Sequence, residues 1–422
     1  MVYSRFEGLG IQEVLAGSLP LLLSFVFILY VSRKEPRLAR YFFIAYGVRF
    51  FLLIVNFFFF TLPDSGEGSD VGAFLNFSRL ASSDGFSSLI DFFTGVSSSF
   101  FHAWIVAFFY AVFGESAFLF GSLSFFFSIV SIYCFWLLYS DIWKDKASLN
   151  TVLVAAFFPS VVLYSVIPRY EAFMWTFVLI GFLGVYRWSN YNSLNNFLLT
   201  SFGFLLAGMF HSPFYLAYAV FIGIIAVQQL RKFFIGIQRN KIFVSGFMFA
   251  AVFFAVAGWF VFGGLHIPKV GTFESLMLAE NSSEGAKVFS SSVRGDASYP
   301  DWTVPGSAAD YLWKPVVRGV YFLFSPFPWD VRAAIHLIGL LDALVFMFLV
   351  YKIWCNRKFL LSNKGARNII IIIALLAIIY GLGVGNFGTG IRHRTKFAFI
   401  LLALAGPLFV KRSYLSNKKE VS

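Results

Sequence analysis

Apolar runs of near-spanning length recur along the whole chain, and they decide the class of fold. A helix of about 20 apolar residues crosses the hydrocarbon core of a bilayer, and in lipid a helix satisfies its backbone hydrogen bonds internally. Charged residues make up only 13% of this chain, whereas a soluble domain has about 25%. The sequence therefore predicts an all-α, polytopic transmembrane helical bundle that forms a single integral membrane domain over residues 1–422. The predicted spans, about 11 in number, cover residues 11–31, 41–62, 117–139, 151–166, 172–186, 196–210, 214–230, 242–264, 331–354, 368–385 and 397–410.

The distribution of positive charge orients these spans. When the spans alternate in direction, one set of connecting segments, beginning with residues 32–40, carries most of the 33 Lys and Arg residues. Because Lys and Arg are enriched in cytoplasmic loops, we predict that these segments are cytoplasmic, with the N-terminus outside and the C-terminus inside. Two large loops, residues 63–116 and 265–314, then lie on the periplasmic side. Residues 100–114 and 318–329 are too short to cross the bilayer and are predicted to be interfacial helices.

Three carboxylates open the first outer loop: Asp64, Glu67 and Asp70. Gly66 and Gly68, which lie between them, allow the backbone to approach a ligand closely. A carboxylate in this position can accept the proton of an attacking hydroxyl group, so all three acids are candidate catalytic residues. A solvated acidic turn explains the same pattern equally well. No histidine lies near enough in the sequence to suggest a metal site.

A basic stretch, residues 385–396, separates the last two predicted spans on the outer side, where positive charge is disfavoured. It contains Arg392, His393, Arg394 and Lys396. Arginine presents a planar fork that suits phosphate oxygens. The glycine-rich residues before Arg392 can offer backbone N–H groups to an anion at a helix N-terminus. We therefore interpret the stretch as a phosphate-binding site, with anchoring to lipid headgroups as the alternative.

Several further polar residues lie at the ends of spans or inside them. Arg169 and Glu171 flank one outer turn, where they either pair with each other or complete a site. His211 follows a span and is either a helix cap, which is the commoner role, or a site residue. Arg49 and Asp342 are full charges inside predicted spans, and because intramembrane charges usually pair, we expect a structural ion pair between them. A proton relay through these two residues, which would suit a transporter, stays open.

Composition argues against several other classes of function. The net charge of +12 is explained by cytoplasmic anchoring to anionic lipid, so we predict no nucleic-acid partner. The two cysteines, Cys134 and Cys355, provide no disulfide framework. The sequence contains no glycine-rich nucleotide loop, no zinc-ligand spacing and no nucleophile elbow. We therefore predict neither a cofactor nor a bound metal.

Five short motifs follow one another between residues 41 and 410: residues 70–74 (DVGAF), 100–116, 158–171, 321–329 and 388–394. Their order resembles the GT-C class of membrane glycosyltransferases and the related bacterial polymerases of surface polysaccharide. In that class the first outer loop carries the catalytic carboxylate, so the resemblance implies this role for Asp70. Phe74 stands where the class usually has a tyrosine. The last motif resembles late elements of bacterial members that act on polyprenyl-linked glycans.

The resemblance and the two charged clusters together predict a glycosyltransferase of the bacterial inner membrane. Its donor is expected to be a sugar or oligosaccharide on undecaprenyl phosphate or diphosphate, and its most favoured activity is that of an O-antigen, capsule or exopolysaccharide repeat-unit polymerase. Arg169 joins the basic stretch as a donor-binding residue, while Glu171, His211 and Arg318 are candidate substrate-binding residues. Membrane lipids and other polysaccharide-assembly proteins are the expected partners.

Two alternatives remain open. The chain could be a GT-C enzyme that adds a single sugar to a lipid, glycan or protein acceptor. In a different class, it could be a flippase or transporter of lipid-linked glycans. A transporter should line its pathway with intramembrane polar groups, whereas the polar residues of this chain are concentrated in the outer loops.

Overall fold

The computed structural model describes residues 10–59, 70–83, 85–95, 100–238, 297–305, 307–332 and 334–408. Within these ranges the regular secondary structure is helical, which confirms the predicted all-α class. The helices are α1 (Ile11–Lys34), α2 (Ala39–Phe59), α3 (Asp70–Ala81), α4 (Phe86–Gly95), α5 (Phe101–Phe113), α6 (Ala117–Trp143), α7 (Leu149–Ala156), α8 (Pro159–Tyr164), α9 (Glu171–Tyr191), α10 (Leu194–Phe210), α11 (Pro213–Gln238), α12 (Lys314–Phe324), α13 (Ala334–Cys355), α14 (Arg357–Ser362), α15 (Lys364–Gly383) and α16 (Phe387–Ala405).

Six helical segments in the described part of the chain are long and apolar enough to cross a membrane. Apolar helices of this length are typical of a membrane protein, although the predicted number of spans is not confirmed. The six segments are Ile11–Lys34, Pro36–Phe59, Ala117–Lys146, Glu171–Tyr191, Pro213–Arg231 and Lys364–Gly383.

The structure departs from the predicted spans where one of them is interrupted. The predicted span 151–166 is interrupted, because α7 ends at Ala156 and α8 begins at Pro159. Proline has no N–H and fits only the first turn of a helix, so it starts a new helix here, and neither piece is long enough to cross a bilayer. The predicted span 242–264 lies outside the described residues.

The interior of the bundle is built around α6 and α9, which are buried over most of their length. The helices α1, α2 and α11 are apolar as well, yet they expose large side chains such as Leu22, Phe51 and Val227. An apolar helix surface left uncovered by protein is suited to lipid. Within the predicted interfacial segment 100–114, residues Phe101–Phe113 form α5. The helix α3, which lies in the predicted first outer loop, packs against α5, and the Ser78 hydroxyl donates to the Ala103 carbonyl at 2.8 Å.

Small residues allow α9 and α10 to approach each other closely. A Cβ atom added at Gly203 of α10 would lie 2.2 Å from the backbone nitrogen of Gly181, and one added at Gly184 of α9 would lie 2.5 Å from the backbone nitrogen of Thr200. Small residues at helix crossings are the usual basis of packing between transmembrane helices. We call this close contact between α9 and α10 the glycine seam. It fixes the position of α10, and therefore that of His211 at the C-terminal end of α10.

One end of the bundle gathers the C-terminal ends of α6, α9 and α16. The Arg187 Nε donates to Asp141 Oδ2 at 2.7 Å, which joins α9 to α6. The Trp143 Nε1 donates to the Ala403 carbonyl at 2.8 Å, which joins α6 to α16. The basic turn Lys144–Lys146 lies at this end. The N-termini of α9 and α16 therefore share the opposite end.

At that opposite end, the main chain after the second large loop pairs with the residues that lead into α16. The Tyr299 N–H donates to the Gly385 carbonyl and the Phe387 N–H donates to the Ala297 carbonyl, each at 2.9 Å. Only residues 297–314 of the predicted loop 265–314 are described, apart from residue 306. The pairing fixes the end of this loop directly beside the start of α16.

The glycine seam gives a stability prediction. Gly203→Ala should lower the free energy of unfolding by about 1–3 kcal/mol, because the new methyl group would collide with backbone atoms that cannot rotate away. The matched control is Gly47→Ala in α2, where an added Cβ meets nothing within 4 Å and alanine is the better helix former. Thermal unfolding of the purified variants in one detergent measures both. Equal destabilisation by the two substitutions would contradict the proposed role of the seam.

Candidate active site

Two arginines from distant parts of the chain converge on one carboxylate oxygen at this end of the bundle. The Arg392 NH1 lies 2.8 Å from Asp70 Oδ2, and the Arg169 NH2 lies 3.0 Å from the same atom. Asp70 is the first residue of α3, Arg169 precedes α9, and Arg392 lies in the second turn of α16. Three candidate residues that are separated by about 100 or more positions in the sequence are thus in direct contact.

Helix N-termini position these groups. Asp70 and Glu171 are the first residues of α3 and α9, where the helix dipole favours a negative charge. The helix α16 begins after Asn386, whose side-chain oxygen accepts a hydrogen bond from the Thr389 N–H at 2.8 Å. This is the usual geometry of an N-cap. Because the helix starts ten residues earlier than the predicted span, the basic stretch is helical and its side chains point in different directions.

Glu171 completes the group. Its side chain is fully buried, and its Oε1 lies 3.6 Å from Arg392 Nε. Neither carboxylate oxygen of Glu171 accepts a hydrogen bond from the residues that the structure describes. Arg392 is therefore shared between two acids: Asp70 at the surface and Glu171 in the interior. We refer to Asp70, Arg169, Glu171 and Arg392 as the charged cluster.

The arginines control the ionisation of Asp70. Partial burial by itself would raise the pKa of this carboxyl, but the hydrogen bond and charge of Arg392, together with the charge of Arg169, outweigh it and hold the pKa below its usual range. Asp70 is therefore ionised throughout the neutral pH range. A carboxylate held in this way is a weak proton acceptor for as long as both arginines remain bound to it.

A second layer of polar residues lies one helical turn further along α16. The buried Lys396 Nζ lies 2.7 Å from His393 Nδ1 and about 5 Å from the ring centres of Tyr170 and Tyr380. The Tyr380 hydroxyl lies 3.1 Å from His211 Nδ1. The buried His393 and Lys396 and the half-buried His211, all candidates from the sequence, therefore form one layer beneath the charged cluster.

Arg394 lies on another face of α16 and is not part of the charged cluster. Its Nε and NH2 both lie 2.7 Å from Asp342 Oδ2. Its guanidinium also donates to the carbonyls of Ser325 and Gly339. Residues two apart on a helix point in different directions, which separates Arg394 from Arg392. Arg394 joins α16 to α13, and the predicted phosphate contact from this residue has no geometric support.

The prediction that Arg49 pairs with Asp342 is wrong. Asp342 is bound to Arg394 instead. The buried Arg49 makes a long hydrogen bond, 3.4 Å, from its NH1 to the Ala45 carbonyl of its own helix. The residues that form the Asp342 pair are 52 positions apart, so the arrangement depends on helix packing that charge counting cannot reveal.

Arg318 also has a structural position. Its Nε donates to the Gly381 carbonyl at 2.9 Å and its NH2 donates to the Val384 carbonyl at 2.8 Å. These carbonyls at the C-terminal end of α15 have no partner within the helix, and a cation there also complements the helix dipole. The predicted substrate contact from Arg318 therefore has no geometric support. Asp64 and Glu67 lie outside the described residues.

Sequence reasoning missed two residues of the site. Tyr170 lies between Arg169 and Glu171 and could have been included because of its neighbours. Tyr380 lies inside an apolar run and has no polar neighbour that would single it out. Both rings contact Lys396, so the apolar spans contribute to the site through their aromatic side chains.

Arg169 and Arg392 present two guanidinium groups at one point, beside Asp70. Planar guanidinium forks are suited to the oxygens of an anion such as phosphate.

No protein-family model, curated protein or solved structure matches this chain. Within the described residues, no three His, Cys, Asp or Glu side chains lie close enough together to hold a metal ion.

The Arg394–Asp342 pair gives a second stability prediction. Arg394→Met should lower the free energy of unfolding by about 3–5 kcal/mol, because it leaves a buried carboxylate without its partner. Adding Asp342→Leu to this variant should restore most of that loss, since the unpaired charge is then removed as well.

The control for this experiment is Arg187→Met, which removes a 2.7 Å ion pair with Asp141 in a part-exposed position. Its loss should be about 0–1 kcal/mol. Chemical denaturation of the purified proteins measures all three variants. A double variant as unstable as Arg394→Met would show that the buried pair is not what Arg394 contributes.

Proposed function

We propose that this protein is a membrane glycosyltransferase whose donor is a sugar or oligosaccharide on undecaprenyl phosphate or diphosphate. The observation that carries the proposal is the convergence of Arg392 and Arg169 on one carboxylate oxygen. Two arginine forks at a single point suit an oxygen-rich anion.

A small crevice between α2, α3 and α6 lies beside the charged cluster. Val71, which follows Asp70, and Pro168, which precedes Arg169, both line it. It has room for only about one water molecule, so the lipid part of the proposed donor rests on the resemblance in the sequence and not on this crevice.

In the proposed reaction, an acceptor hydroxyl oxygen forms a bond to the anomeric carbon of the donor sugar. The bond between that carbon and the phosphate oxygen breaks, and the electron pair leaves with the lipid phosphate. Arg392 and Arg169 stabilise the charge that develops on this leaving group. The proton of the acceptor hydroxyl passes to the Asp70 carboxylate.

Among glycosyltransferases, we favour a repeat-unit polymerase of bacterial surface polysaccharide in the inner membrane. Arg392 and Arg169 supply two guanidinium groups at one point, which suits a diphosphate because it carries more negative charge than a monophosphate. Deletion of the gene distinguishes this activity from the addition of a single sugar. A surface glycan with a single repeat unit indicates a polymerase, and a truncated repeat unit indicates a single-sugar transferase.

Turnover of purified variants tests the enzymatic proposal. Arg392→Lys keeps the charge but loses the planar fork. A hydrogen bond to a charged group contributes about 1.5–3 kcal/mol, so turnover should fall by about one to two decades. Asp70→Asn should abolish turnover, since the amide cannot accept the proton. Normal turnover in both variants would remove the charged cluster from the mechanism.

The control for turnover is Lys314→Gln. Lys314 pairs with Asp310 at 2.9 Å, away from the charged cluster. The substitution removes a positive charge without touching the site, so it should leave turnover unchanged.

The proposed orientation places the charged cluster on the periplasmic side. Cys355 is exposed near the basic end of the bundle and Cys134 is buried, so a membrane-impermeant maleimide should label the native protein only from the cytoplasmic side. In a Cys355→Ser background, Ser307→Cys should be labelled only from the periplasmic side, because the exposed Ser307 lies near the site end. Labelling of intact cells and inverted vesicles measures both. The reverse pattern would place the site on the cytoplasmic side.

A further inference from the structure

The position of Asp70 resembles that of a bound ligand more than that of a free base. Its Oδ2 accepts one hydrogen bond from each of two arginines, at 2.8 and 3.0 Å. A phosphate oxygen between the same two guanidinium groups would accept the same pair of hydrogen bonds. An anionic headgroup that uses both arginines therefore needs the place that Asp70 now holds.

The members of the charged cluster differ in how freely they can move. The Asp70 side chain is 56% exposed, whereas that of Arg169 is 2% exposed and that of Arg392 is 20% exposed. A carboxylate at the surface regains water when it leaves its partners, whereas a buried guanidinium does not. Exchange should therefore move the aspartate and leave the arginines in place.

Glu171 makes such an exchange feasible for Arg392. Its buried carboxylate lies 3.6 Å from the Arg392 Nε, so Arg392 keeps a counter-charge while its NH1 changes partner. Glu171 has no exposed surface through which it could leave. The two acids therefore have separate roles: Glu171 is the permanent partner of Arg392, and Asp70 is the exchangeable one.

We propose that Asp70 is an internal placeholder for the lipid phosphate, and that binding of the phosphate displaces it from Arg392 and Arg169. This inference rests on the proposed function. In the resting protein the two arginines depress the pKa of Asp70, which makes it a poor proton acceptor. Once the arginines hold the phosphate, the carboxylate is released beside a negatively charged group, and both changes raise its affinity for a proton. Donor binding and activation of the base are thereby coupled.

The test measures binding of undecaprenyl phosphate, without any sugar, to the purified protein in nanodiscs by microscale thermophoresis. The apparent dissociation constant equals the intrinsic one divided by the fraction of protein whose site is free. Asp70→Asn removes the competing charge, so we expect it to bind about tenfold more tightly than the wild type, although it is inactive. Asp70→Ser is a second variant, in case the asparagine protein folds poorly. Arg392→Ala should weaken binding.

Two controls accompany these variants. Undecaprenol, which has the chain but no phosphate, measures binding by the lipid chain alone. Asp310→Asn removes an acid that is paired with Lys314 away from the charged cluster. It should leave the affinity for undecaprenyl phosphate unchanged, which excludes a general effect of net charge.

A structure of the wild type with undecaprenyl phosphate, determined by electron microscopy, provides the second measurement. We expect the phosphate to lie between the two arginines, with Asp70 beyond hydrogen-bond distance of both. Two results would overturn the proposal that Asp70 is a placeholder while leaving the proposed phosphate site intact. In one, the wild type binds the lipid but neither Asp70 variant binds it more tightly. In the other, Asp70 remains bonded to both arginines in the complex. If no protein binds undecaprenyl phosphate better than undecaprenol, the proposed function fails together with the placeholder.

Discussion

The buried positive charge of α16 is the constraint on which the rest of this end of the bundle depends. A cation removed from water needs partners that offset its lost hydration, and this helix carries three within five residues. Arg394 is satisfied by Asp342 and backbone carbonyls, and Lys396 by an imidazole and two aromatic rings. Protein groups enclose both of these side chains. Arg392 differs, because one of its two acidic partners lies at the protein surface.

This difference separates Arg394 and Lys396, whose contacts join α16 to its neighbours, from Arg392, which we propose as a phosphate-binding residue. The contacts of Arg394 and Lys396 fix α16 against α13, α9 and α15 and hold the helix rigidly. The proposed anion site requires such rigidity, since preorganised donors need no rearrangement when charge develops. The polar contacts of Arg394 and Lys396 hold α16, and with it the Arg392 guanidinium, in place.

Three of the residues that the sequence predicts for the site lie in contact in the structure, but the grouping of the predicted residues could not be foreseen. Charge patterning predicted Arg392, Arg169 and Asp70 as site residues because each breaks the apolar background on one side of the spans. It could not separate Arg392 from Arg394, since that requires knowing that α16 begins at Phe387 and not after the basic stretch. Because α16 includes the basic stretch, Arg392 and Arg394 point in different directions and contact different neighbours. The pairing of Arg394 with Asp342 depends on how distant helices pack, which lies beyond what one sequence shows.

The main-chain pairing between residues 297–299 and the entry to α16 has a consequence for how this protein can vary. Its hydrogen bonds join backbone groups, so they do not depend on the identity of the side chains at Ala297 and Ser298. They do depend on register, because a shift of one residue turns every side chain to the other face. Tyr299 would then leave the ring contact that it makes with Tyr321 and its position over Arg318. Among related chains, this short segment should accept many substitutions and almost no insertions or deletions.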